Sequence, residues 1–333
     1  MKKILSLALV LVLVLSLSTV AFADGEEGAE AAEATYTDVS TVTLIKEYKL
    51  TNAGTTSPAE TFTFSELECT RVTDAAAGVT AENAPVPEIA DVSYAAGEAG
   101  GANARKNITI TLPQYNSVGI YTYTFTETDG GTAGVTYRSG AITLVVTVIE
   151  QNGKIRVAAV HTEGEGENKS GEFNNEYSAG SLSVSKEVTG LLGDTQKYFA
   201  ITITLTGETG KDYTGNVITV GQTTYAENPT TVAVGSSATF YLKDGETINL
   251  GNIPYGVTYA VTEVDLEDYE ETITDNDGGK IDAATQTVNV VNNKGGTVDT
   301  GITMDSMPYI LLLAVVFMGL FVFFSKKRMM REN

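Results

Sequence analysis

The chain has 333 residues, with 42 acidic and 21 basic side chains, one His, one Cys and no Trp. A net charge of -21 argues against binding to nucleic acid, because each phosphate contact needs a Lys or Arg. One Cys cannot form an internal disulfide, and Cys69 with His161 cannot supply the four ligands of a structural zinc site. We therefore expect no metal and no cofactor.

The first 23 residues have the order of a secretory signal peptide. Lys2 and Lys3 precede an apolar run, and Ala21-Phe22-Ala23 stands directly before Asp24. A charged start, an apolar core and a small-residue site predict cleavage after Ala23. A membrane anchor is the alternative interpretation, but the apolar core is short. Residues 24–40 then form an acidic lead before the first predicted strand.

Residues 41–294 are predicted to consist of short β-strands. Runs rich in Val, Ile, Thr, Tyr and Phe are separated by Gly, Asn and Asp, and long helical periodicity is absent. The clearest predicted strands are Val42–Leu50, Thr61–Leu67, Ile108–Leu112, Ile120–Glu127, Ala141–Ile149, Ser181–Val188, Phe199–Leu205, Ala238–Leu242 and Val257–Val264. This spacing is typical of antiparallel sandwiches and predicts two all-β domains, residues 41–178 and 179–294. A hairpin turn is predicted over residues 275–279, where an EF-hand loop would lack its twelfth-position Glu.

Each half carries a Lys, a Glu and an Asn in the same order on comparable strands. They are Lys46, Glu127 and Asn175 in the first half, and Lys186, Glu263 and Asn292 in the second. Because strand side chains alternate between faces, residues of equal parity share a face. By that rule all six polar side chains point with the apolar set, toward the core. Chance parity or an edge position would explain one such residue, but six in two matching series argue against chance.

A buried Lys–Glu–Asn set can make a covalent bond. Burial lowers the pKa of a lysine and raises that of a carboxyl group, so the amine can be neutral and nucleophilic. The amine can attack the Asn side-chain carbonyl while the Glu polarises the carbonyl oxygen and carries protons, and ammonia leaves. We therefore predict two intramolecular isopeptide bonds, Lys46 to Asn175 with Glu127 as catalyst, and Lys186 to Asn292 with Glu263. Each would be a single-turnover self-modification, so the protein is not expected to be an enzyme.

The C-terminal end resembles a membrane stop followed by a cytoplasmic tail. Residues 307–325 form an apolar stretch of about the minimum length that spans a bilayer. Residues 326–333 carry Lys326, Lys327, Arg328 and Arg331, which places this tail in the cytoplasm and the preceding chain outside the cell.

These motifs together resemble the streptococcal-type major (backbone) pilins. The resemblance rests on the Lys, Glu and Asn order, the Tyr123-Thr124-Phe125-Thr126-Glu127 strand, the Asn292-Asn293-Lys294 strand end and the C-terminal anchor. It implies tandem immunoglobulin-like β-sandwich domains with one isopeptide bond each. It also implies a structural subunit of a cell-wall-anchored pilus on a Gram-positive bacterium.

The same resemblance implies the residues of polymerisation. Residues 295–306 hold Val298-Asp299-Thr300-Gly301, similar to the sorting signal that a sortase cleaves between Thr300 and Gly301. Asp299 departs from the usual Pro, which leaves the sortase class open. The family's accepting amine corresponds to Lys169, within an acidic Gly-rich segment, so copies of the chain would be joined from Thr300 to Lys169. The remaining partners implied are the sortase and peptidoglycan or its precursor, and the sequence leaves any host ligand open.

Two other functions remain open at this point. A monomeric wall-anchored adhesin or stalk would use the same domains and the same sorting signal without polymerising. A secreted glycosidase would need a pair of exposed carboxylates, and the sequence indicates no such pair.

Overall fold

The computed structural model describes residues 38–164, 172–264, 266–274, 278–296 and 307–329. Four predicted site residues, Ala23, Lys169, Thr300 and Gly301, lie outside these ranges. The predicted leader and most of the predicted sorting region lie outside them as well.

The first sandwich consists of two main sheets and a small one. Its strands are β1 (Thr41–Leu50), β2 (Glu60–Phe62), β3 (Glu68–Thr73), β4 (Glu88–Ile89), β5 (Val92–Tyr94), β6 (Arg105–Thr111), β7 (Gly119–Phe125), β8 (Val135–Thr136), β9 (Ile142–Gln151), β10 (Lys154–Gly164) and β11 (Glu172–Tyr177). One main sheet has the order β4-β6-β1-β11-β8, the other has the order β10-β9-β7-β3, and β2 pairs with β5. A 3₁₀ turn lies at Ala81–Asn83.

The second sandwich follows a similar plan, with nine strands in the part of it that the structure describes. They are β12 (Ala179–Thr189), β13 (Phe199–Thr206), β14 (Thr219–Val220), β15 (Ser236–Leu242), β16 (Thr247–Pro254), β17 (Thr258–Val264), β18 (Glu270–Thr274), β19 (Gly278–Lys280) and β20 (Thr285–Asn293). Its sheets have the orders β14-β16-β12-β20-β18 and β15-β13-β17-β19. The predicted all-β fold of two tandem sandwiches is confirmed.

The prediction of purely antiparallel sandwiches is wrong for one pair of strands in each sandwich. The first and last strands of each sandwich, β1 with β11 and β12 with β20, pair in parallel. All the other strand pairs among the described residues are antiparallel. A parallel pair needs a long crossover connection, and here the rest of the sandwich supplies it.

Several local predictions also differ from the structure. The strand predicted over Thr61–Leu67 ends at Phe62, because Phe64 forms an isolated bridge with Glu127 instead of continuing the small sheet. The hairpin predicted at 275–279 is wrong, since the flanking strands β18 and β19 belong to different sheets. Residues 275–277 themselves lie outside the described ranges. Strands β3, β10, β16 and β18 are absent from the predicted set.

Each sandwich has its own apolar core. The first contains fully buried aromatic side chains, including Tyr48, Phe62 and Tyr123, whereas the second is built mainly from Ile, Leu and Val. Phe62 packs edge-to-face against Tyr48 at a centroid distance of 5.2 Å. A smaller cluster of Val188, Phe199 and Tyr269 closes the far end of the second sandwich.

The two sandwiches meet at a short, hydrogen-bonded junction. A single residue, Ser178, separates β11 from β12, so the last strand of one sandwich leads directly into the first strand of the next. Asn252 on β16 reaches across: its Oδ1 accepts from Thr56 N at 2.9 Å, and its Nδ2 donates to Thr56 O at 3.0 Å and to Val217 O at 2.9 Å. Its φ of 58° lies in the left-handed region that Asn tolerates better than most residues.

The C-terminal helix α1 (Met307–Met329) stands apart from both cores. Its span Pro308–Lys327 is long and apolar enough to cross a membrane, and none of the span is buried against the rest of the chain. An apolar helix that is exposed on all sides fits a bilayer-spanning segment.

Candidate isopeptide sites

Opposite sheets of each sandwich supply the residues of one site. In the first sandwich Lys46 lies on β1 and Asn175 on the parallel neighbour β11, where Tyr48 is directly paired with Asn175. Glu127 follows the end of β7 in the facing sheet. Parallel pairing places the Lys and the Asn side by side on the inner face of one sheet, and the facing sheet brings the carboxylate over both.

Three polar contacts join the residues of the first site to one another, and a fourth joins Asn175 to the backbone. Lys46 Nζ donates to Glu127 Oε2 and to Asn175 Oδ1. Asn175 Nδ2 donates to Glu127 Oε1 and, at 3.1 Å, to the backbone carbonyl of Thr136. The Glu127 carboxylate therefore bridges the attacking amine and the amide nitrogen that would leave as ammonia.

The second site has two of these three contacts. Lys186 Nζ donates to Glu263 Oε2 at 2.8 Å, and Asn292 Nδ2 donates to Glu263 Oε1 at 2.5 Å. Among the described residues, the buried Asn292 Oδ1 has no hydrogen-bond partner. In both sites the carboxylate faces the amide nitrogen, whereas the sequence analysis expected it to polarise the amide oxygen.

All six side chains are buried, with Lys46 and Asn292 at 0% exposure. Aromatic rings lie against both amines: Lys46 Nζ lies 4.0 Å from the centroid of Phe62, and Lys186 Nζ lies 4.4 Å from that of Phe199. These rings exclude water, and a buried amine and carboxylate are costly unless they are paired. The structure thus brings together the two sets of three residues that the sequence analysis selected.

Burial changes the acidity of both amines. Desolvation lowers the pKa of Lys46 from 10.5 to about 8, against the opposing effect of Glu127, and Arg138 lowers the pKa further. Desolvation also lowers the pKa of Lys186, while Glu263 and Glu271 oppose this change. A lower amine pKa increases the fraction of neutral, nucleophilic lysine near neutral pH.

Two families match nearly the whole of the two sandwiches. Residues 42–178 match a family described as Spy0128-like isopeptide containing domain, and residues 180–294 match a domain of unknown function, DUF7601. A curated pilin from Streptococcus pyogenes serotype M1 is 28% identical over 312 residues, covering 86% of this chain and 90% of that protein. The first sandwich matches the Spy0128-like isopeptide domain family, and the chain is a relative of the streptococcal major pilins.

Two solved structures of major pilins share the fold of this chain. A crystal structure of the major pilin from Streptococcus pyogenes is 25% identical, with a TM-score of 0.50, and covers 78% of this chain and 100% of that one. The major pilin T3.2 of another S. pyogenes serotype shares the fold at 23% identity, with a TM-score of 0.53 and coverage of 78% and 99%. The pilus tip adhesin Cpa of S. pyogenes is 34% identical over 131 residues, which is 18% of that protein.

Charged residues that were not among the predicted site residues flank the two sites. Arg138 donates its backbone N–H to Glu127 Oε1 at 3.4 Å. Glu60 is buried at 8% exposure and accepts from Tyr137 Oη at 3.0 Å. Glu271 on β18 is paired directly with Asn292. Glu60 lies on a short strand of the small sheet, Arg138 lies outside the strands, and Glu271 shows no distinctive parity, so no periodic signal in the sequence could have identified them.

Proposed function

We propose that this pilin is the structural backbone subunit of a covalently assembled surface pilus, with one self-formed Lys–Asn isopeptide bond in each sandwich. The observation that carries the proposal is the pair of buried Lys–Glu–Asn sites, each between the first and last strands of its sandwich. The pilin relatives are structural proteins, and the proposed chemistry uses no external substrate.

Bond formation follows from the contacts at each site. Neutral Lys Nζ attacks Asn Cγ, and the Glu carboxylate, already hydrogen-bonded to Nζ, accepts the amine proton. The same carboxyl group contacts Nδ2 and delivers a proton there, so the Cγ–Nδ2 bond breaks and ammonia leaves. The new bond joins Lys Nζ to Asn Cγ, and one ammonia is released per site. Folding supplies the rate enhancement, because it holds the three groups in contact.

Polymerisation is proposed to join copies of this chain through Thr300 and Lys169. A sortase would cleave between Thr300 and Gly301 and transfer the Thr300 carbonyl to the Lys169 amine of another copy. The final subunit would be attached to peptidoglycan or its precursor. Supporting features are the apolar helix α1, the basic residues that follow its apolar span and the position of Lys169 upstream of the bonding Asn175.

The proposed location is the bacterial surface. Export would begin with the N-terminal leader and its removal after Ala23, and α1 would hold the chain in the membrane until the sortase acts. A monomeric wall-anchored adhesin is the second candidate, because the match to the pilus tip adhesin shows that similar sequence occurs outside the shaft subunits.

An extract of cell walls distinguishes the two candidates. We expect the native chain to give a ladder of covalent oligomers in a denaturing gel, and Lys169→Ala to collapse the ladder to the monomer. Lys154→Ala is the matched control, because Lys154 is an exposed lysine of the same sandwich, at the start of β10. A ladder that persists in Lys169→Ala would reject Lys169 as the linkage residue, and the absence of a native ladder would favour the monomeric adhesin.

A further inference from the structure

Charges of opposite sign flank the two isopeptide sites, and we propose that they set the order of bond formation. Arg138 accelerates the bond between Lys46 and Asn175, and Glu271 retards the bond between Lys186 and Asn292. The first sandwich is therefore crosslinked before the second. This inference rests on the proposed function, and it assigns positioning roles to two residues that do not react.

Arg138 is placed against the first site by its backbone and its side chain. Its backbone N–H donates to Glu127 Oε1 at 3.4 Å. Its guanidinium carbon lies 5.3 Å from the centroid of Phe173, the same ring that lies 5.9 Å from Lys46 Nζ. Among the described residues its buried Nε has no hydrogen-bond partner. A guanidinium held in a wall of the site disfavours a second positive charge on the amine.

Glu271 is placed against the second site by strand register. It lies on β18 directly opposite Asn292 of β20 in an antiparallel pair. Side chains of directly opposed residues in such a pair lie on the same face, with Cβ atoms about 5 Å apart. The Glu271 carboxylate therefore shares the half-buried inner face with the reacting amide, and its negative charge favours the protonated form of Lys186.

The other charged groups near the two amines do not cancel the opposite effects of Arg138 and Glu271. In the first site, Glu60 opposes Arg138 but has the smaller effect on Lys46, and it is hydrogen-bonded to Tyr137 Oη at 3.0 Å. In the second site Lys197 lies 5.3 Å from the Phe199 ring that contacts Lys186, but Glu267 pairs with Lys197 at 2.6 Å. Glu127 and Glu263 each contact the lysine of their own site, so they do not account for a difference between the sites.

The contacts of the reacting groups also favour the first site over the second. In the first site the amine already touches the amide group of Asn175, and Thr136 O fixes the orientation of that amide at 3.1 Å. In the second site, among the described residues, the amine donates to the Glu263 carboxylate but not to Asn292, whose amide oxygen has no hydrogen-bond partner. The second site must bring amine and amide together before attack, whereas the first site is already in contact.

The sign of the pH dependence follows from the need for a neutral amine. A flanking cation lowers the pH at which a lysine becomes neutral, and a flanking carboxylate raises it. Formation of the first bond should therefore begin to accelerate at a lower pH than formation of the second. Removing Arg138 should move the first profile to higher pH, and removing Glu271 should move the second profile to lower pH.

Timed refolding of residues 24–300 tests the proposal. Both cores lie within this segment and α1 contributes to neither, so its folding does not require the helix. Unreacted chain from inclusion bodies is denatured, diluted into buffers from acidic to alkaline pH and quenched in acid at intervals. Mass spectrometry of proteolytic digests then follows the two crosslinked peptides separately, so each sandwich is the internal control for the other.

We expect the first crosslink to accumulate ahead of the second at neutral pH. Arg138→Gln should slow the first crosslink about threefold to tenfold and move its profile up by about half to one pH unit, with Arg138→Lys restoring the native profile. Glu271→Gln should move the profile of the second crosslink down by a similar amount. Equal rates for the two native crosslinks, or Gln variants with unchanged profiles, would overturn the ordering. Absence of both crosslinks would instead reject the proposed function.

Discussion

At the scale of single residues, the proposed chemistry depends on two lysines that are buried beside a carboxylate and an amide. Lys46 and Lys186 are among the largest fully buried side chains of the protein, and each has the shared contact with a glutamate that such burial requires. The inward direction of these side chains could be predicted from strand parity, because a period of two places them with the apolar residues. Arg138 and Glu271 could not, because Arg138 lies outside the strands and the position of Glu271 beside Asn292 depends on the register of β18 against β20.

Replacing a glutamate that we propose to be catalytic should remove one of the proposed crosslinks and its stabilisation. Glu263→Gln preserves the shape of the side chain but cannot carry protons, so Lys186 and Asn292 remain unbonded. In the chain-entropy model, the missing closure of a loop of roughly a hundred residues lowers the free energy of unfolding by about 5 kcal/mol.

Thermal and denaturant unfolding measure this loss. Glu187→Gln is the matched control, since Glu187 is exposed on the same strand β12 and its replacement should change the stability by less than about 0.5 kcal/mol. A Glu263→Gln protein as stable as the control would contradict a covalent role for the second site.

At the scale of strands, the decisive feature is the parallel pairing of the first and last strands in each sandwich. Most strands could be predicted from their Val, Ile and Tyr content, and β1, β12 and β13 lie within a few residues of the predicted ranges. Pairing direction could not be predicted, because an alternating pattern reports which face is buried and carries no information on the neighbouring strand. The hairpin predicted between β18 and β19 is wrong for the same reason, because the pattern does not show which strands pair.

Asn252 makes two of the hydrogen bonds that cross the junction between the sandwiches. Asn252→Ala removes the acceptor of Thr56 N and the donor to Thr56 O, two backbone groups in the other sandwich. Leaving buried polar groups unsatisfied costs about 1 to 3 kcal/mol. We expect faster hydrogen exchange at the junction and a wider distribution of interdomain angles in small-angle scattering.

Asn249→Ala is the control for the junction, because Asn249 is exposed on the same strand β16. Equal exchange rates in the two variants would show that Asn252 does not hold the sandwiches together.

At the scale of the whole molecule, the two proposed bonds and the strand connection form one covalent path. The path runs along β1 to Lys46, crosses to Asn175 on β11, passes Ser178 into β12, and crosses from Lys186 to Asn292 near the end of β20. Tension applied to the two ends of the sandwiches would follow this path and bypass the remaining strands. A disulfide could serve the same purpose, but Cys69 is the only cysteine in the chain.

Pulling on single molecules tests this path. The native protein, held at residues 38 and 296, should extend without an unfolding step within either sandwich. Glu263→Gln should show one additional step of roughly 350 Å, because about a hundred residues become extensible at about 3.4 Å each. Long unfolding steps in the native protein would show that the bonds do not carry the load.

The intact mass of the segment from Asp24 to Thr300, produced in a heterologous host, is the most direct test of the central claim. The native segment should be lighter than its sequence mass by two ammonia molecules. Glu127→Gln and Glu263→Gln should each be lighter by one, and the double variant should match its sequence mass. A native segment whose mass equals its sequence mass would contradict the self-formed isopeptide bonds.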